Sequence, residues 1–243
     1  MTLSLLALSA ASLQPTPVPA PAAPIAPAVV SDPVALEEPL PDRRIYVELL
    51  TDAGRMLVRL ETERAPITTA NFLRYVDSKR MNGFQFYRAT RNWGPANQII
   101  QAGNRGDVRL NYPAIAHEST EKTGLTHCKG ALSMARLNPG DATTDFFVLL
   151  SDIKGFDSDP ERTGDQAGFA VFGELIEGQD VAQAIFDAPI SPTAGDGVMQ
   201  GQMLEPKFTI RTAKRVAAPS FVPQGCVVKA SGPAAAVQEG DSE

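Results

Sequence analysis

Arg88 is the residue on which the most specific chemistry of this sequence converges. It ends the alternating run Phe84-Gln85-Phe86-Tyr87-Arg88. Charged side chains are seldom placed in apolar strands without a task. A guanidinium is a fixed charge and a strong hydrogen-bond donor wherever water is excluded. Phe146 and Phe147 follow Asp145 in a second apolar strand. Alternation sends them to opposite faces of the sheet, and Phe146 and Phe172 read as core. Other chemistries lack parts. The only histidines are His117 and His127, too few and too spread for a zinc site. His127 and Cys128 are adjacent, so on a strand they face opposite ways and form no local nucleophile–base pair. Both histidines read as satisfied surface or edge residues. Asp157, Asp159 and Glu161 have metal-loop spacing but lack the glycine and final glutamate of such a loop, which leaves a solvated loop. No phosphate-cradling glycine loop or G-x-S-x-G elbow occurs. No cofactor, metal or hydrolytic centre is expected.

The elements that must hold Arg88 are mostly short strands. Ile45, Val47 and Leu49 alternate with polar positions, as do Met56, Val58 and Leu60, and Thr51-Asp52-Ala53-Gly54 turns between them. That is a β-hairpin with glycine where a positive φ is expected. Pro66 opens a helix predicted over about residues 66–80, with Ile67, Ala70, Leu73 and Val76 on one stripe. Short strands are predicted at Phe84–Arg88, Ile99–Gln101, Ala131–Ala135, Asp145–Leu150, Phe169–Gly173 and Phe208–Thr212. A second helix carries Val181, Ala182, Ile185 and Phe186 and is stopped by Pro189. About eight strands and two helices point to a mainly β, antiparallel barrel or sandwich.

Read in order, these segments resemble the cyclophilin family. Phe86-Tyr87-Arg88 is similar to its Phe-His-Arg strand. Ile100-Gln101-Ala102-Gly103 is similar to its Ile-Gln-Gly-Gly, and Ala131-Leu132-Ser133-Met134-Ala135-Arg136 to the bacterial Ser-Met-Ala segment. Asp145-Phe146-Phe147 and Phe169-Ala170-Val171-Phe172-Gly173 match Gln-Phe-Phe and the Val-Phe-Gly strand, and Ala65-Pro66-Ile67-Thr68-Thr69-Ala70-Asn71-Phe72 matches the first helix. The resemblance runs from about Arg44 to Val216 and implies a closed eight-stranded barrel capped by two helices. It also implies peptidyl-prolyl cis/trans isomerase activity with no cofactor. In that role Arg88 is the catalytic donor, oriented by Gln101. Phe147, Met134 and Ile99 floor the proline pocket, Phe156 and Phe169 wall it, and the backbone at Ala135 and Arg136 pairs with the residue before proline. The chain departs from the family in places. Gln98 stands where an aromatic is usual, and Asp145, a site position beside Arg88, replaces a glutamine and is placed to pair with Arg88 and compete with substrate. Gly155-Phe156 replaces the tryptophan of cyclosporin-binding forms, which implies weak cyclosporin binding. The segment between Arg88 and Gln101 is longer than usual; Trp93 within it either replaces the missing aromatic or caps the loop.

Composition bounds the rest. The 243 residues contain no aromatic before Tyr46 or after Phe221, so the domain is assigned to 43–222. Net charge is -6 with a pI of about 5.1, the wrong sign for a phosphate-backbone binder, and nucleic acid is not an expected partner. Residues 1–12 are apolar or small, read as a signal-like segment without a preceding Lys or Arg, and are too short to span a bilayer. Residues 13–42 carry nine of the 20 prolines and read as a disordered Pro/Ala-rich linker. Residues 223–243 read as a flexible tail. Cys128 and Cys226 can pair in an oxidising compartment, but their separation leaves pairing open. The expected protein is a periplasmic monomer acting on proline-containing unfolded or exported polypeptides, without stable membrane insertion. The alternative is a weakly active binding module that holds such segments.

Overall fold

In the computed structural model, residues 44–104 and 106–229 are described. The segments assigned to 1–12, 13–42 and the end of the tail lie outside them.

Strands β1 (Ile45–Thr51) and β2 (Arg55–Leu60) form the expected hairpin, with Gly54 at φ 142° in the turn. The other strands are β3 (Gln85–Ala89), β4 (Ile99–Gly103), β5 (Ala131–Met134), β6 (Phe146–Leu149), β7 (Ala170–Glu177), β8 (Ile190–Ser191) and β9 (Met203–Val216). Their order is β1-β2-β7-β5-β6-β4-β3-β9-β8, every pair is antiparallel, and β1 also pairs with β9. Eight strands therefore close into a barrel, and two-residue β8 hangs on β9. This is the eight-stranded barrel that the family resemblance implies; the residue pattern alone left barrel and sandwich open. Helix α1 (Pro66–Asp77) ends three residues before its expected limit, because Lys79 turns to φ 58° and the Ser78 amide folds back on Arg74. The one-turn α2 (Thr120–Thr123) was not expected; α3 (Gln179–Asp187) was. Strand β9 is longer than its predicted core because Pro206, which cannot donate to a ladder, masks its start.

Period-2 alternation fills the barrel. Phe86, Phe146 and Phe172 are fully buried, and α1 adds Phe72, whose ring meets Phe146 edge-on at 5.4 Å. Ala182 and Ile185 of α3 join the same core.

One expectation at the C-terminus is corrected. Cys128 and Cys226 form a disulfide with Cα atoms 6.1 Å apart. Around it, residues 223–229 are pinned to the barrel. Thr126 N donates to Val227 O at 2.8 Å, Lys229 N donates to Gly124 O at 2.9 Å, and Leu125 bridges Val228. Val227 is fully buried. The segment lacks large side chains, so composition reads it as tail; a covalent staple and one buried valine hold it instead.

Candidate active site

The site begins with an irregularity in β3. Phe86 lies opposite Ala102, but Arg88 lies opposite Gln101, so Tyr87 is an extra residue in the ladder. A bulge of this kind re-aims side chains. Phe86 stays in the core, while Tyr87 and Arg88 both reach the outer groove. Across β4, register fixes the remaining floor. Gln101 is the direct partner of Phe147, and Ile99 of Leu149, so Ile99, Gln101 and Phe147 share the face that Arg88 occupies. The groove has a volume of about 470 Å³. Phe156, from the 3-10 turn Lys154–Phe156, and Phe169, just before β7, stand over Phe147 with ring centroids 5.7 and 5.5 Å away, both nearly perpendicular to it.

Arg88 is 7% exposed and is held by neutral oxygens. Its Nη1 donates to Gln101 Oε1 and its Nε to Gln202 Oε1, both at 2.8 Å. Gln101 Nε2 donates to Tyr87 Oη at 2.5 Å, and Tyr87 Oη donates to Asp145 Oδ2 at 2.6 Å. Burial, reinforced by the Asp145 charge, pushes the Tyr87 phenol far up and keeps it a donor. Burial pulls the Arg88 guanidinium down, but arginine stays charged at any physiological pH. Its Nη2 is buried and meets no acceptor among the described residues. On its open face lies Trp93, 4.9 Å from guanidinium carbon to ring centroid. The longer loop therefore brings an aromatic to the site. Gln98 stays outside the groove lining, its backbone tied to Ser151 Oγ and Leu150.

The sequence of this barrel matches the family model of cyclophilin type peptidyl-prolyl cis-trans isomerases over residues 46–213. The chain belongs to this family. A peptidyl-prolyl cis-trans isomerase of Acinetobacter baylyi is 34% identical over 147 residues, covering 60% of this chain and 73% of that one. One from Streptomyces antibioticus is 36% identical over 141 residues, covering 57% and 81%. The crystal structure of a Cryptosporidium parvum cyclophilin type isomerase superposes with a TM-score of 0.55 at 18% identity, covering 72% of this chain and 99% of that one; at that identity it speaks to fold alone.

Several site expectations for this cyclophilin change with the geometry. Met134 is the direct partner of Phe146 and is 2% exposed, so it points into the barrel and does not floor the pocket. Alternation along β5 decides this, since Ser133, opposite Phe147, takes the outer face. Asp145 does not pair with Arg88; Tyr87 and Thr144, which donates at 2.8 Å, hold its carboxylate. The Ala135 amide donates to Asp145 O at 2.8 Å, so β5–β6 pairing already uses one group of the Ala135–Arg136 backbone expected to meet substrate. Arg136 stays at the groove, its guanidinium over Phe169 and bonded to Asp165. His127 is fully buried rather than a surface or edge residue. Its Nδ1 meets Asp157 Oδ1 at 2.7 Å and its Nε2 meets Ser133 Oγ at 2.9 Å. Asp157 thus turns inward instead of lining a solvated loop. Serine, histidine and aspartate stand in line, but Ser133 and His127 have no exposure, and the ring stacks behind Phe147 at 6.4 Å; the row is packing and not a nucleophile. His117 is half-buried, with Nε2 3.1 Å from Ala167 O. Gln202 was missed entirely. It sits between Gly201 and Met203, where no periodicity marks a polar side chain as buried.

Proposed function

We propose that this isomerase rotates X-Pro bonds by donation from Arg88 Nη2 to the prolyl nitrogen. Amide resonance sets a barrier of about 18–20 kcal/mol. A donor to the nitrogen favours its pyramidal, twisted form, and an apolar site keeps that donor free of water. Phe147 and Ile99 floor the proline ring's pocket, and Phe156 and Phe169 wall it. Gln101 orients Arg88. Substrate backbone pairs with the segment at Arg136, since the Ala135 amide is taken. The observation that carries this reading is the unpaired, buried Nη2 on a guanidinium whose other contacts are neutral. No metal, cofactor or covalent intermediate is required.

The substrate class is unfolded polypeptide, because a half-open groove lined by aromatic side chains accepts an extended segment. The apolar segment 1–12 and the Cys128–Cys226 pair support an exported protein working in the periplasm. One observation favours the holding-module alternative: Gln98 leaves the usual aromatic position polar. Trp93 offsets it. The test is exchange spectroscopy on a short Ala-Pro peptide. An isomerase at catalytic concentration speeds cis–trans exchange; a holding module only broadens the bound resonances without speeding it.

A further inference from the structure

We propose that Gln202 is a positioning residue that sets Arg88 in its working rotamer and couples it to the loop bearing Trp93. The inference rests on Arg88 being the donor. Gln202 is fully buried, and each polar atom of its amide is used. Oε1 accepts from Arg88 Nε at 2.8 Å. Nε2 donates to Asn92 Oδ1 at 2.6 Å and to Val198 O at 2.7 Å. A backbone carbonyl only accepts, so the NH₂ must face Val198 and the oxygen must face Arg88. The amide therefore has one satisfied orientation. Its backbone is clamped to the same strand, with Ala89 N donating to Gln202 O at 2.9 Å.

The choice of amide has a chemical consequence. Gln101 and Gln202 hold the guanidinium by carbonyl oxygens, so no carboxylate neutralises it and its charge is directed to the groove. Asn92 precedes Trp93 in the 3-10 turn Arg91–Trp93. Releasing Gln202 would free Arg88 Nε and unbrace the turn whose ring covers the guanidinium, in one step.

The test uses the full chain. Gln202→Leu is expected to lower on-enzyme isomerisation of an Ala-Pro peptide about tenfold, the worth of a charged hydrogen bond, while peptide Kd moves less than about threefold. The Arg88 Nε–H signal in NMR is expected to exchange slowly in the wild type, where Gln202 accepts it, and rapidly in the variant. Gln202→Glu gives a second readout. A carboxylate there faces Arg88, with Tyr87 and Asp145 next along the network and Arg91 in the adjoining turn. It is expected to hold activity low at neutral pH and to recover it as the pH falls and the carboxyl is protonated, against a flat wild-type profile. A folded Gln202→Leu with wild-type turnover and a protected Nε–H overturns the assignment; if that variant does not fold, a flat Gln202→Glu profile overturns it. Arg88→Ala, run alongside, separates the two claims. Wild-type activity in Arg88→Ala removes the donor reading itself. Lost activity there with an unaffected, folded Gln202→Leu removes only the role of Gln202.

Discussion

Phe146 and Phe147 are neighbours in the chain and opposites in space, and Met134 sides with the first. Truncating each therefore reads out differently. Phe147→Ala is expected to weaken proline-peptide binding by about 1–2 kcal/mol, the value of one aromatic side chain's burial against the ring. Met134→Ala is expected to cost about 2–5 kcal/mol of stability through a core cavity and to leave affinity within about twofold. Urea unfolding and peptide titration of both variants check this; weakened binding in a still-stable Met134→Ala would return that residue to the pocket floor. His127 carries a second expectation. Burial holds its folded pKa below the usual 6.5, outweighing the Asp157 hydrogen bond that raises it; Lys154 and Lys229 push the same way as burial. A depressed histidine contributes fully above the unfolded pKa. Below it the unfolded chain takes a proton that the folded ring refuses, so stability falls as the pH drops below about 6.5. Asp157 is also depressed and adds its loss only in the lower carboxylate range. The urea midpoint of the wild type is expected to fall between about pH 6.5 and the carboxylate range and that of His127→Gln to stay level; parallel curves would assign the acid sensitivity elsewhere.

At the scale of elements, the bulge at Tyr87 is the device that makes a site out of a barrel wall. Without the bulge, plain register would set Tyr87 opposite Gln101 on the groove face and turn Arg88, opposite Ile100, into the core. The loop between β3 and β4 is the second device. It delivers Trp93 to the guanidinium from outside the sheet, in place of an aromatic on β4. Trp93→Ala is expected to lower kcat/KM by about 1 kcal/mol, the size of an ordinary cation–π contact, roughly fivefold. Trp93 is the only tryptophan in the chain, so its fluorescence is expected to shift when a proline peptide binds. An unchanged spectrum at saturating peptide would place the ring away from the occupied groove. These devices explain what sequence carries and what it does not. Alternation and glycine turns gave away the strands and the hairpin. Ordered motifs exposed Arg88, Gln101, Phe147, Phe156 and Phe169. A bulge shifts register by one residue without changing composition, so alternation does not show that Tyr87 and Arg88 share the groove face, and Asp145 looked like a partner for Arg88. Gln202 reaches Arg88 across 114 positions of chain, and such a meeting depends on closure of the whole barrel.

For the molecule as a whole, the disulfide and the strap at 223–229 fasten a distant segment over a buried charge pair. Arg59 Nη2 donates to Glu174 Oε2 at 2.8 Å, and the strap answers both partners: Arg59 Nη1 donates to Pro223 O at 3.1 Å and Cys226 N donates to Glu174 Oε1 at 3.1 Å. Removing the strap would leave that pair short of partners in a dry place. The bond spans 98 residues. Cross-linking a loop of that size is worth about 4–5 kcal/mol in the chain-entropy account. Cys226→Ser is expected to lower Tm, with reductant doing the same to the wild type and nothing further to the variant. A wild-type Tm insensitive to reductant would mean that the strap holds without its staple.

Everything at the site turns on a guanidinium with one free, water-excluded donor. The most direct measurement compares wild type, Arg88→Ala and Arg88→Lys by exchange spectroscopy on an Ala-Pro peptide, with circular dichroism to establish that each is folded. Wild type is expected to accelerate cis–trans exchange, and Arg88→Ala to lose at least about a hundredfold, the scale of one electrostatic donor at a developing transition state. Arg88→Lys is expected to recover little, because an ammonium cannot hold Gln101 and Gln202 and still present a third N–H in the same plane. A folded Arg88→Ala that accelerates exchange as the wild type does would contradict the account at its centre.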